Sequence, residues 1–134
     1  MRPLLLISLL LLSGCAGPHL LQCHGAQQSR VTAELLFGRN IGERLGVSEA
    51  DWSRFLAAEV TPRFPDGLTV LDAAGQWRDS DRNRVVREPS KIVLLTLKDP
   101  AADQARIDVI VEAYKRRFRQ QAVGVIVRPA CVSF

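Results

Sequence analysis

The stretch that leaves the fewest folds open is "KIVLLTLKDPAADQARIDVIVEAYKRRF", residues 91–118. It opens on "KIVLLTL", nearly continuous in apolar side chains, the pattern of a central strand buried on both faces. The period then changes. Asp99 is a helix N-cap and Pro100 the first helical residue, because the aspartate accepts from orphan N–H groups and the proline lacks one. Ile107, Ile110, Val111, Tyr114 and Phe118 follow at helical spacing and make one apolar stripe. Lys115, Arg116, Arg117 and Arg119 carry the sign that suits a helix C-terminus. A strand passing straight into such a helix belongs to a sheet that the helix covers.

The rest of the chain supplies the other elements. In "VTAELLF", residues 31–37, Val31, Ala33, Leu35 and Phe37 share one face, which predicts a strand covered on one side. "GRNIGERLGV" is a glycine-rich loop. Ser48 and Asp51 then have capping-box spacing, and Val47 with Trp52 fits a hydrophobic staple. Trp52, Phe55, Leu56 and Val60 form a helical stripe that Thr61-Pro62 ends, so Trp52 reads as core. After a Pro-Asp-Gly turn a strand runs from about Leu68 to Trp77, with Gly75 a bulge candidate. "RDSDRN" reverses the chain into a return strand, Val85 to Lys98. In "AVGVIVRPACVSF", Val123, Val125 and Val127 alternate, and Pro129 places the strand at an edge. The order is βαββαβ. The predicted fold class is α+β, ferredoxin-like, with a four-stranded antiparallel sheet in order 4-1-3-2 and two helices on one face.

The N-terminus speaks to location. Arg2 precedes an apolar run, Leu4 to Leu12, too short to span a bilayer and suited to a signal-peptide core. The run enters "LSGC", which resembles the lipobox of bacterial lipoproteins, whose cysteine is lipidated after cleavage. The expected organisation is a signal peptide at 1–14, a lipidated Cys15 with a tether at 15–30, and one domain at 31–134. The competing reading is ordinary secretion with cleavage nearby. Ala16 follows the cysteine, where an inner-membrane retention signal would have aspartate. The expected location is therefore the cell envelope, lipid-anchored, at the periplasmic face of an outer membrane if the cell has one. The tether has an r.m.s. span of about 20 Å. Cys23 and Cys131 remain, an even pair in an oxidising compartment, and are expected to form a disulfide. A free Cys23 with a buried Cys131, or an intermolecular bridge, are the alternatives.

"TAELLFGR", "VTPRFPDGLTVLDAAGQWRD" and "REPSKIVLL" together resemble an uncharacterised bacterial family of small exported proteins and lipoproteins, domain of unknown function 3574, over roughly residues 31–134. The resemblance implies export and carries no catalytic residues with it.

Several chemistries are excluded. The only histidines, His19 and His24, lie in the tether, so Ser-His and Cys-His catalysis cannot operate inside the domain. No His/Cys spacing suits a metal beyond the faint hint of Cys23-His24, and no glycine-rich nucleotide signature is present. No cofactor, metal or nucleic acid is expected.

Charge is more informative. The chain from Cys15 onward has 17 basic against 14 acidic side chains. In the expected topology the loop at 38–47, the hairpin tip at 75–88 and the end of the second helix share one end of the molecule. That end holds ten basic against four acidic side chains, net +6, and the remainder nets −3. The tether and Cys131 lie at the opposite end. A cationic end facing away from the anchoring membrane suits an anionic envelope component, an anionic small molecule or an acidic protein partner. Trp77, Arg78, Arg87 and Arg39 are the candidate ligand-binding residues. The plainer reading is a solvated arginine surface. The competing reading for Trp77 is structural, a lid or dimer contact on a projecting hairpin. Pairing of residue 131 with 31 would set Arg128 against Glu34 on the uncovered sheet face, which is a homodimer surface or a pocket floor. The alternative to a binding module is a small enzyme of dimeric α+β barrel type, with Glu34 or Asp72 as acid/base.

Overall fold

The computed structural model describes residues 21–134. The expected signal segment and Cys15 lie outside the described residues. The element order is β1 (Gln28–Gly38), β2 (Asn40–Ile41), β3 (Arg44–Leu45), α1 (Glu49–Phe55), β4 (Thr69–Asp79), β5 (Arg84–Leu97), α2 (Pro100–Phe118) and β6 (Gly124–Val132). The four long strands form one antiparallel sheet in the order β4-β5-β1-β6. This is the ferredoxin-like arrangement, with Pro129 on the edge strand β6.

Local chemistry accounts for the helix ends. The Ser48 side chain accepts from the Asp51 N–H, and the Asp51 carboxylate accepts from the Ser48 N–H, closing the capping box. The helix does not stop at Phe55. It widens through Leu56–Val60, where the Thr61 N–H reaches back five residues to the Leu56 carbonyl at 2.9 Å. Asp99 caps α2 through the Ala102 N–H, and Arg119 ends it in the left-handed region at φ 52°. Asp103 adds a second support that the apolar periodicity does not reveal. Its buried carboxylate accepts from the Lys98 and Asp99 N–H groups and pairs with Arg106 at 2.6 Å.

Directly paired residues share a sheet face. Ala33, Leu35 and Phe37 of β1 and Val93, Leu95 and Leu97 of β5 point to the helices and are buried. Trp52, Phe55, Ile107, Ile110, Tyr114 and Phe118 close over them. The opposite face carries Leu36, Ile92, Leu71 and Ile126, and among the described residues no element lies upon it.

Two expectations need correction. The β4–β5 ladder runs unbroken from Thr69↔Leu94 to Asp79↔Arg84, so Gly75 is no bulge. It is close quarters instead, since a Cβ there would lie 2.7 Å from the Ser90 hydroxyl. The β1–β6 register is shifted by two, with Cys131 opposite Ser29 and Arg128 opposite Thr32. Even shifts preserve the face, so Arg128 still pairs with Glu34, now diagonally. The β4–β5 hairpin projects, because β1 pairs with β5 only as far as Gly38↔Ser90. Pro89 sits where β5 loses that neighbour and a ladder N–H is no longer needed.

Cys23 and Cys131 are bonded, with Cα atoms 5.5 Å apart, across 108 residues of sequence. The bond ties the segment preceding β1 to the edge strand. Removing it in Cys23→Ser/Cys131→Ser should lower unfolding stability by about 2–5 kcal/mol. Urea unfolding reads this as a reduced midpoint, and an unchanged midpoint would show that the clasp does not constrain the domain.

Candidate functional site

The loop leaving β1 joins three segments at one end of the molecule. The Tyr114 hydroxyl donates to the Gly38 carbonyl at 2.8 Å, and the Gln120 amide donates to the Asn40 carbonyl at 2.7 Å, fixing the end of α2 beside the loop. Burial pushes the Tyr114 hydroxyl well above its ordinary range, so it stays a donor. Glu88 of β5 accepts from the Asn40 N–H at 3.1 Å and from the Trp77 indole N–H at 3.1 Å. Gly38 is required for this contact, because a Cβ there would stand 2.7 Å from the Glu88 oxygens. Glu43, in the β2–β3 turn, pairs with both Arg82 and Arg84 at the hairpin tip. The basic loop, hairpin and helix end are thus brought together, as the topology required.

Beneath this end, on the helix side, two cations are buried under two carboxylates. Arg39 donates through Nε to the Val47 carbonyl at 2.9 Å and through Nη1 to Glu49 at 2.5 Å. Lys91 donates to Glu49 at 2.9 Å and to Asp72. Arg39 and Lys91 are each 6% exposed, whereas the Glu49 and Asp72 side chains are 65% and 82% exposed. The hydrogen bond from Lys91 is the main cause that holds the Asp72 carboxyl below its usual range, and Glu49 is lowered first by the same lysine. Lys91 is itself raised, chiefly by Asp72. A carboxylate held ionised in this way is a poor proton donor at neutral pH, since general acid work needs a pKa near the operating pH.

The four candidate ligand contacts do not converge. Arg39 is spent on Val47 and Glu49 and positions the loop. Arg78 and Arg87 lie on the helix-side face of the projecting hairpin, both exposed, with Arg78 donating to Asn83 at 2.6 Å. Trp77 occupies the opposite face. Among the described residues, Arg44, Arg78, Arg87, Arg116, Arg117 and Arg119 of the basic end have no carboxylate within ion-pair distance. Lys91 and Glu49, which build the buried cluster, were not singled out by sequence reasoning. A lysine opening an otherwise apolar central strand was the available signal.

Glu34 is elsewhere. With Arg128 it lines an open hollow of about 1130 Å³ on the uncovered sheet face, together with Thr32, Thr69, Leu94 and Thr96. Among the described residues no group of His, Cys, Asp and Glu is placed to hold a metal ion, and no helix is long and apolar enough to cross a membrane.

A family model described as "Protein of unknown function (DUF3574)" matches residues 32–134. No curated protein matches the chain. Among solved structures, a phage SAM lyase in complex with S-methyl-5'-thioadenosine is similar at 13% identity and TM-score 0.61, covering 84% of this chain and 94% of that one. The apo form of a phage SAM lyase gives 14% identity and TM-score 0.59, over 85% and 91% of the two chains. CutA from Synechococcus elongatus PCC7942, complexed with Bis-Tris, gives 9% identity and TM-score 0.50, over 80% and 87%. At these identities the likeness is one of fold.

The buried cluster has a direct readout. In a carboxyl NMR titration of the wild type, Asp72 should titrate below the ordinary carboxylate value of 3.8. In Lys91→Met it should return towards that value. The sign follows from linkage: a depressed carboxylate adds stability above its unfolded pKa and loses it as pH falls through its folded pKa. The stability of the wild type should therefore fall as pH drops below 3.8 and through the lower folded value, and Lys91→Met should lack that component of the fall. An Asp72 midpoint unmoved by Lys91→Met would contradict the coupling.

Proposed function

The chain belongs to the family described as "Protein of unknown function (DUF3574)", and from that premise we propose that it is a lipid-anchored envelope protein whose basic end binds an anionic ligand or protein partner. The observation that carries the reading is the set of six arginines without carboxylate partners among the described residues, Arg44, Arg78, Arg87, Arg116, Arg117 and Arg119, gathered on three segments at one end. Guanidinium groups fixed on a strand hairpin and a helix end suit bidentate recognition of carboxylate or phosphate. Arg78 and Arg87 are the proposed principal contacts. Arg39 acts through Glu49 and Val47 to hold the loop, and Trp77 orders the hairpin by its bond to Glu88.

The anchor is proposed at Cys15, with the chain exported to the periplasmic face of an outer membrane. The Cys23–Cys131 clasp supports this geometry, because it holds the incoming chain near the end of β6, at the pole away from the hairpin. The lipid and the cationic surface then work at opposite ends. The enzyme alternative draws on Glu34 in the hollow, whereas Asp72 is engaged by Lys91.

Thermal-shift titration against carboxylated peptidoglycan fragments and phosphorylated metabolites tests the reading. A ligand at about 100 times its dissociation constant should stabilise the protein by about 2.7 kcal/mol. The shift should disappear in Arg78→Ala/Arg87→Ala and weaken as salt rises from about 0.05 M to about 0.3 M. A shift that survives both changes, or none with any probe, would contradict recognition by this end.

A further inference from the structure

The uncovered sheet face is a second surface, independent of the basic end. Its rows are read directly from the pairing. Leu71, Ile92, Leu36 and Gly124 form one, and Thr69, Leu94, Glu34 and Ile126 the next. Leu71 is 45% exposed, Trp77 45% and Ile126 42%. No element of the described chain lies on them.

We propose that a second copy of this chain covers this face, and that Trp77 of each copy seats in the hollow of the other. Three observations select this occupant. The first is area. Four strands about 4.8 Å apart and about nine residues long at about 3.3 Å each present about 570 Å². Two such faces remove about 1,100 Å², and the projecting hairpins bring the total into the range of stable interfaces, which begins at about 1,200 Å².

The second is shape. The face has an exposed tryptophan at its hairpin end and a hollow of about 1130 Å³ at the other, lined by Thr69, Leu94, Thr96 and Glu34. Trp77 and Thr69 are at the two ends of the same face of β4, about 27 Å apart along the strand. A two-fold axis lying between the sheets and crossing the strands near Ala73 carries each tryptophan over the other copy's Thr69. An isologous contact of this kind closes on itself and leaves no open end. The third is charge. Glu34 pairs with Arg128, Asp66 with Lys98, Asp79 stands opposite Arg84, and the charge of Glu88, hydrogen-bonded by Trp77 and Asn40, is offset in sign by Arg30, so the face carries no net charge. A half-apolar face of zero net charge calls for no oppositely charged partner and suits its own copy.

Photo-crosslinking of the full chain in the bacterial envelope tests this. A benzoylphenylalanine is placed at Leu71, at Trp77 or, as a control on the exposed face of α2, at Val109. Co-expression of two differently tagged chains separates crosslinks between copies from those within one. Leu71 and Trp77 positions should each give a covalent homodimer, and Val109 none. The Trp77 crosslink should map to residues 66–69 or 94–96 of the other copy. Leu71→Glu should abolish the Trp77 crosslink while the Cys23–Cys131 disulfide still forms. Absence of homodimer, adducts with a different protein, equal yield from Val109, or a Trp77 crosslink mapping elsewhere would each overturn the proposal.

Discussion

Phe37 is the contact on which the two layers depend. It is the last buried residue of β1, and its ring meets Trp52 of α1 at 5.1 Å, Tyr114 of α2 at 4.8 Å and Phe55 at 6.0 Å. One side chain on a central strand therefore holds both helices to the sheet. Phe118 continues the cluster through Tyr114 and Phe55. Tilted and edge-on aromatic pairs at such distances add to the area they bury. The same contact sets the basic end. The chain leaves Phe37 into Gly38 and Arg39, and Tyr114, packed on the Phe37 ring, reaches the Gly38 carbonyl. The loop is held from below by the core and from above by the hairpin.

That arrangement explains why the charges sort as they do. Arg39 and Lys91 sit just past the aromatic cluster, where the sheet ends and the hydrophobic layer thins. Their heads meet Glu49 and Asp72 at the surface, so their stems pack while their charges stay paired. The remaining arginines of this end stand farther out, on the hairpin and the last turn of α2. The pole is cationic because its carboxylates are consumed by structure. Glu43, Glu49 and Glu88 each hold an element in place, and the outer guanidinium groups are left to solvent or to a ligand.

Much of the fold was legible because its signals are local. Alternation in "VTAELLF", the Ser48–Asp51 capping box and the Asp99-Pro100 start each specify an element within a few residues. Pro129 placed β6 at the edge, and the two cysteines announced a clasp that the structure contains. The misses are non-local. The β1–β6 register depends on how the segment before β1 threads, which no short pattern encodes. The wide turn at Leu56–Val60 leaves the apolar spacing nearly unchanged, so periodicity cannot detect it. The site was legible in charge and not in geometry. The expected topology placed arginines at one end, but strand parity decides that Trp77 and Arg78 face opposite ways, and burial decides that Arg39 packs into the loop it holds. Lys91 escaped notice because it reads as the polar start of an apolar strand.

The central claim is that this protein acts through its cationic end. Amide chemical-shift mapping of the isotopically labelled protein, with soluble peptidoglycan fragments added, would test it most directly. Perturbations gathered at residues 44, 78, 87 and 116–119, and quenched by salt, are the predicted result. Perturbations gathered instead around Glu34, Thr69 and Arg128 would move the site to the sheet face and contradict the account.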